Sequence, residues 1–366
     1  MTAATLPDTP APRRSDATRL VIHRWLVVTV GLSSSLALSL SGTITNVAVP
    51  DIMGAFGVGQ DQAQWMATAF FAAMTAAMLI SDWLTRSFGM RTVFVFMMIA
   101  FVAGSIAGGT AQSYSLVVLG RAVQGFAAGA ILPLTMMAMF SVFPPERRAM
   151  VAGLFGISFI MGPGLGPWFG GMAIDAFDWR FTFYVALPVA FISVMLALVV
   201  FPGRDRDAPL ARLDWLGFLL VAVFLTATLT GLSNGQLKGW DSNFVVAMLC
   251  LGFGAVIGFV LWELRVADPI FDIRLLRNPK FAFACLASFL VGFTMFGSFY
   301  LQPVFVQIVQ NYSPLRAGLV LVPGGIAMGI ALPLAGRLAD RYPPSIILAS
   351  GFLIFAVSTW LMGLTD

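Results

Sequence analysis

Ionisable side chains are scarce in this sequence: 17 acidic and 21 basic residues among 366, with a single histidine and two cysteines. Soluble domains carry about a quarter charged residues, so a charged share of 10% excludes a soluble globular protein, whatever domain count the length would allow. The lone histidine, His23, stands in a basic N-terminal flank and leaves no material for a His-based catalytic pair or a zinc site. No loop gathers a His, Asp or Cys set, so no enzyme, metal or cofactor is expected. Cys250 and Cys285 lie in separate apolar runs and read as small packing residues, not as a disulfide or redox pair. The net charge of +4 is no sign of nucleic-acid binding, because the cations flank apolar runs and serve topology.

What the sequence has in abundance is apolar length. Hydrophobic residues make up 59% of the chain and the mean hydropathy is +0.90. They fall into eleven runs, 25–49, 64–82, 92–111, 115–141, 149–173, 181–201, 215–233, 243–262, 281–309, 317–335 and 345–364. About 20 apolar residues cross a ~30 Å hydrocarbon core as a helix, so the expected fold class is an all-α polytopic membrane protein. Residues 1–20, rich in Pro, Ala and Thr without an apolar period, read as a disordered cytoplasmic tail. The first run is too long for a signal peptide and lacks a cleavage site, so it is a retained span.

With the N-terminus inside, seventeen of the 21 cations fall in cytoplasmic segments, Arg180, Lys238 and Arg316 fall outside, and Arg121 alone lies within a span. That bias fixes the orientation. It also supports the span count, since one missed helix would invert every later loop. Many spans joined by short loops suggest a bacterial cytoplasmic membrane and exclude nucleic acid as a partner.

Two loops echo each other: SDWLTRSFGMR (Ser81 to Arg91) after the second run and AGRLADRYPP (Ala335 to Pro344) after the tenth. Transporters are commonly built from paired repeats, and in a six-plus-six plan the second copy would follow the eighth span. Its displacement implies two inserted helices, 215–233 and 243–262. The expected organisation is a tail (1–20), a six-helix bundle (21–202), two inserted helices with cytoplasmic linkers (203–280) and three helices of an incomplete second bundle (281–366). An ending after an odd helix reads as a fragment of a fourteen-helix plan, with three helices missing.

Several motifs carry chemistry. At the end of the first run, GTITNVAVPDI (Gly42 to Ile52) sets Thr43, Thr45 and Asn46 at membrane depth, where an amide seeks a partner on another helix, and Pro50 stops the helix. In LGRAVQGFAAGA (Leu119 to Ala130), Arg121 lies about 10 Å inside the run. An intramembrane charge is a functional-site hypothesis by default, and Gln124 follows on the same face. Gly125 and Gly129 let another backbone approach. In GPGLGPWFGG, Gly162, Gly166 and Gly170 form a small-xxx-small stripe. Pro163 and Pro167 interrupt the ladder and Gly171 closes the motif, which suggests a mechanical crossing. Asp82 and Arg86 sit at i and i+4, an ion-pair spacing, and Gly336, Arg337, Asp340 and Arg341 form a similar set. Duplication of this loop raises a gating role. For a central cavity, Trp65, Phe70, Phe71, Phe299 and Tyr300 offer aromatic faces, and Asn46, Gln302 and Gln307 polar ones.

Together TITNVAVP, GRAVQGFAAG, GPGLGPWFGG, DWRFTFYVALP (Asp178 to Pro188) and GRLADR resemble the major facilitator superfamily, and within it the fourteen-helix drug/proton antiporter branch of the EmrB/QacA type. The resemblance implies a major facilitator fold and alternating access, in which two helical bundles rock about a cavity and export a compound in exchange for protons. It assigns Arg121, with Gln124 and Gly125, to proton coupling. Gly162, Pro163, Gly166, Pro167, Gly170 and Gly171 match the antiporter motif of the fifth helix, and Asp340 matches a gating-loop aspartate. In a double-membraned source it implies a periplasmic adaptor as partner.

Three departures stand out. Ser41 occupies the place of a usual first-helix aspartate, Asp82 and Arg86 invert the usual loop pattern, and Pro343 replaces a glycine. All 17 carboxylates fall in tails, loops or helix ends, whereas antiport needs a group that titrates and arginine does not. Asp82 or Glu263 at a helix end, or a residue beyond Asp366, would have to serve, or coupling is lost. Three readings follow: a proton-driven exporter of small amphipathic compounds, a dedicated exporter of one metabolite or antibiotic, and a truncated protein that transports nothing.

Overall fold

The computed structural model describes residues 14–204, 212–339 and 341–362. Thirteen α-helices follow one another there: α1 (Arg14–Ile44), α2 (Val49–Phe56), α3 (Gln60–Ala63), α4 (Trp65–Phe88), α5 (Met90–Gly109), α6 (Tyr114–Val142), α7 (Arg148–Ala176), α8 (Leu187–Val200), α9 (Trp215–Lys238), α10 (Asn243–Glu263), α11 (Pro279–Ile308), α12 (Pro314–Ala339) and α13 (Pro344–Met362). No strand occurs among the described residues. Ten segments are long and apolar enough to cross a membrane, and the eleventh expected run forms the shorter apolar helix Ser345–Leu361 within α13. The polytopic all-α architecture expected from the apolar runs is the one observed.

The first run does not continue to residue 49. It stops at Ile44, turns through 45–48 and restarts as α2, whose first turn holds Pro50. A proline there costs nothing because its missing N–H would have been unpaired. The short α2 ends on Gly57 at φ 63°, a left-handed conformation that glycine adopts without penalty. Between α4 and α5 the loop is a single residue, Gly89 at φ 81°, and a side chain there would press on the Arg204 backbone at 2.8 Å.

Small residues decide which helices touch. Gly125 and Gly129 of α6 lie against the backbone of Phe70 and Met74 on α4, close enough that a methyl group would collide with carbonyl oxygens. On another face of α6, Gly120 meets Gly104 of α5, and a methyl on either would stand 2.7–2.8 Å from the other's carbonyl oxygen. Such approach gains van der Waals contact where lipid supplies no hydrophobic drive. The buried core runs through α1, α4, α5, α6 and α8, with Leu38, Phe70, Phe94, Phe101 and Ile131 fully enclosed. Outward faces carry large apolar side chains instead, among them Phe96, Phe191, Val199 and Phe283. The pattern suits a lipid surround, in which these faces incur no hydration penalty.

Helices α9 and α10 form a tight antiparallel hairpin that leans on α4, with Trp215 edge-on to Trp83 at 6.0 Å. Helix α12 lies along α7, and α11 touches α2 and α12. Most cations at helix ends gather at one end of the molecule, called here the arginine-rich end: Arg86, Arg91, Arg147, Arg148, Arg204, Arg265 and Arg337 flank it.

Candidate functional site

Arg121 is completely buried two turns into α6. Its Nη1 donates to the Ser41 carbonyl at 2.9 Å, to Gln124 Oε1 at 2.9 Å and to Ser41 Oγ at 3.4 Å. Its Nη2 reaches the Gly42 carbonyl at 3.4 Å, and its Nε the Met66 carbonyl at 3.3 Å. The reason lies in the end of the helix at Ile44: the last four carbonyls of a helix have no partner within it, and Ser41 and Gly42 belong to the last turn of α1. The guanidinium therefore caps α1 from the side and sits at the negative end of its dipole. The Phe70 ring lies 4.2 Å below it and adds a cation–π contact. Gln124 passes the network on to Ser105 Oγ at 2.8 Å. No carboxylate joins in, so the only ionised member is held by neutral acceptors. Ser41, where the resemblance leads one to expect an aspartate, faces the arginine directly.

Helix α7 is lined with glycine on two sides. One side is the stripe read from the sequence: Gly162 abuts Ser39 and Leu40 of α1, a methyl at Gly166 would stand 2.5 Å from Thr43 Oγ1, and one at Gly170 2.6 Å from the Ile44 carbonyl. Thr43 Oγ1 donates to the Gly162 carbonyl at 3.4 Å. The other side meets α12: a methyl at Gly164 would lie 2.6 Å from the Gly325 Cα and one at Gly171 2.7 Å from Leu315, while Gly318 abuts Pro167. Pro163 and Pro167 both lie inside the helix, which stays continuous through them. The second side went unread because its partners, Gly318 and Gly325, are seven residues apart and fall outside a four-residue stripe.

A small hollow of about 10 Å³, room for one water, lies between α1, α4, α6, α7 and α11. Phe70, Phe71, Met74, Phe159 and Phe296 line it, with Phe71 and Phe296 in ring contact at 4.7 Å. Away from the arginine-rich end, neutral side chains tie α11 to the early helices. Asn46 Nδ2 donates to the Phe299 carbonyl at 3.1 Å, Gln307 Nε2 to the Val47 carbonyl at 3.1 Å and Gln60 Nε2 to Tyr300 Oη at 3.2 Å. Asn46 thus has the interhelical partner that the sequence called for. Trp65 is half-buried at the start of α4, and Gln302, also half-buried, makes no hydrogen bond among the described residues.

At the arginine-rich end, Arg86 Nη2 pairs with Asp82 Oδ2 at 2.8 Å across exposed side chains, a geometry worth little in water. Arg341 is exposed, and Asp340 lies outside the described residues. Glu263, at the end of α10, is almost completely buried. Its Oε2 accepts weakly from the Phe271 N–H at 3.4 Å, while Oε1 has no partner among the described residues and rests near Asp214 Oδ2 over Gly217. Asp51 escaped the sequence reading altogether. It opens α2 with a buried Oδ2 that finds no partner among the described residues, and burial, reinforced by Asp178 and Asp175, pushes its carboxyl above the ordinary range. Its only signal was its place directly after the TNVAVP stretch.

The model of the Major Facilitator Superfamily matches residues 31–366. A multidrug resistance protein B homolog of Mycobacterium tuberculosis is 31% identical over 361 residues, covering 96% of this chain and 66% of its own length. An uncharacterized MFS-type transporter, YhcA, of Bacillus subtilis is 30% identical over 321 residues, 88% of this chain and 60% of its own. The multidrug export protein EmrB of Escherichia coli is 28% identical over 334 residues, 91% and 65%. The chain thus spans between 60% and 66% of the length of these relatives. The crystal structure of a peptide transporter POT in complex with sulfate superposes with a TM-score of 0.59 at 15% identity, over 88% of this chain and 70% of that one, a likeness of fold alone. Members of the matching family are transporters rather than enzymes, and with its membrane-spanning helices, its fold and the model's match over most of its length, this chain belongs to the Major Facilitator Superfamily.

Proposed function

We propose that the chain works in the export of small amphipathic compounds across a bacterial cytoplasmic membrane, by alternating access and in exchange for protons, with its N-terminus cytoplasmic. The observation that carries this reading is α7, whose glycines admit α1 on one side and α12 on the other at backbone distance. Two crossings without interlocked side chains are surfaces on which packed helices can change angle without unpacking a core. The printed names of two relatives, a multidrug resistance protein B homolog and a multidrug export protein, support the substrate class. The aromatic lining and the lack of a carboxylate around the central hollow favour neutral or weakly charged aromatic cargo.

Arg121 serves as a fixed cap in this reading, and the coupling proton is carried by a carboxylate. Of the two helix-end candidates, Glu263 is buried and has an oxygen with no partner among the described residues, whereas Asp82 is exposed and paired. The test is dye movement in proteoliposomes under an imposed pH gradient, using the natural gene product. Gradient-driven accumulation of several unrelated dyes, lost in Gly164→Leu and uncoupled from the gradient in Glu263→Gln, is the expected result. Movement of none of them refutes the exporter reading, and unchanged coupling in Glu263→Gln refutes the assigned proton site.

A further inference from the structure

A second, larger cavity lies at the arginine-rich end, away from the central hollow. It is a half-open cavity of about 350 Å³ between the ends of four spans: the start of α1, the start of α5, the end of α6 and the end of α8. His23, Arg91 and Ser141 supply its polar wall, and Val27, Val142 and Phe201 its apolar wall. The volume is that of a small-molecule site, and no carboxylate among the described residues lines it.

Arg91 is fixed at the rim. Its Nε donates to the Phe201 carbonyl at 2.6 Å and so caps the end of α8, while the Phe201 ring packs edge-on against Phe94 at 5.1 Å. The two terminal nitrogens of the same guanidinium make no hydrogen bond among the described residues, which leaves a positioned two-pronged donor beside an imidazole. This fork suits the oxygens of a phosphate.

The height of the cavity identifies the source of that phosphate. Four transmembrane helices begin or end there, and next to His23 the chain exposes Val21, Ile22 and Trp25, each about half accessible. A half-exposed tryptophan beside basic residues marks the level of lipid headgroups. We propose that this cavity binds the headgroup of an anionic phospholipid, with Arg91 and His23 on the phosphate and the acyl chains leaving along Val27 and Val142.

The test is thermal unfolding of the full chain in a neutral detergent, with phosphatidylglycerol, phosphatidylcholine or inorganic phosphate added. Phosphatidylglycerol is expected to raise the midpoint, and the other two are not. The double variant His23→Gln/Arg91→Gln should lose most of that rise. Because Arg91 also caps α8, Ser141→Leu provides the second arm: it fills the cavity, leaves the arginine bonded and should abolish the rise. An equal rise with phosphatidylcholine, an equal rise with inorganic phosphate alone, or a full rise in Ser141→Leu each overturns the proposal.

Discussion

Replacing Arg121 by lysine isolates what the guanidinium does from what its charge does. The arginine spreads five donor contacts over α1, α4 and Gln124, with three nitrogens pointing in different directions. A lysine keeps the charge but offers one nitrogen at one place, so it can hold the Ser41 carbonyl and Gln124 or the Met66 side, not both. Two bonds are lost. Hydrogen bonds between membrane helices are worth about 0.6 kcal/mol each, with a maximum near 1.7, and a buried acceptor left bare costs about 1–3 kcal/mol. The expected destabilisation is therefore about 1–3 kcal/mol, from the freed carbonyls of Gly42 on α1 and Met66 on α4. Unfolding in mixed micelles reads this directly. Arg121→Met should cost at least as much, because every acceptor then loses its donor, even though the unpaired buried charge is relieved. An Arg121→Lys protein within about 0.5 kcal/mol of the parent, below the average worth of a single such bond, would refute the capping argument and leave the charge as the reason for the residue.

Other perturbations follow from the same geometry. Gly164→Leu must separate α7 from α12, since even a methyl would stand 2.6 Å from the Gly325 Cα, so a disulfide engineered across that crossing should form in the parent and fail in the variant. Asn46→Ala removes the bond to the Phe299 carbonyl, at a cost of about 0.6–1.7 kcal/mol, and should raise labelling of a cysteine placed at position 300. The raised Asp51 carboxyl favours the folded state fully below the ordinary aspartate value of about 3.9, and that contribution is lost as pH climbs through the raised value. The unfolding midpoint should thus fall above pH ~4, and Asp51→Asn should flatten that limb and be the more stable protein at neutral pH, less a few tenths of a kcal/mol for charge at the start of α2.

Apolar length and loop charge made the number and type of spans legible, because lipid forces every backbone polar group into helical pairing and leaves few alternatives. The break after Ile44 was half legible: Pro50 announced a stop, but the turn at 45–48 depends on a guanidinium from a helix 80 residues away. Arg121 itself was conspicuous as the single cation inside a span, whereas its partners are backbone carbonyls, which no side-chain pattern encodes. The α1 face of α7 could be read from a four-residue glycine repeat. The α12 face needed the pairing of Gly164 with Gly325, which only the assembled helices display. Asp51 carries no such sign in the sequence, because its burial arises only when α2 packs, and the acidic neighbours that reinforce the effect, Asp178 and Asp175, are distant along the chain.

The amide bonds that join α11 to the early helices carry a consequence for how that end can open. Asn46, Gln60 and Gln307 are neutral at every physiological pH, and their acceptors are two carbonyls and a phenol. Separating them moves no formal charge through the membrane field and exposes no ion to screening. The parting of these helices should therefore be indifferent to voltage and to salt, and any ionic control over it must act from a distance through the rigid bodies it holds together.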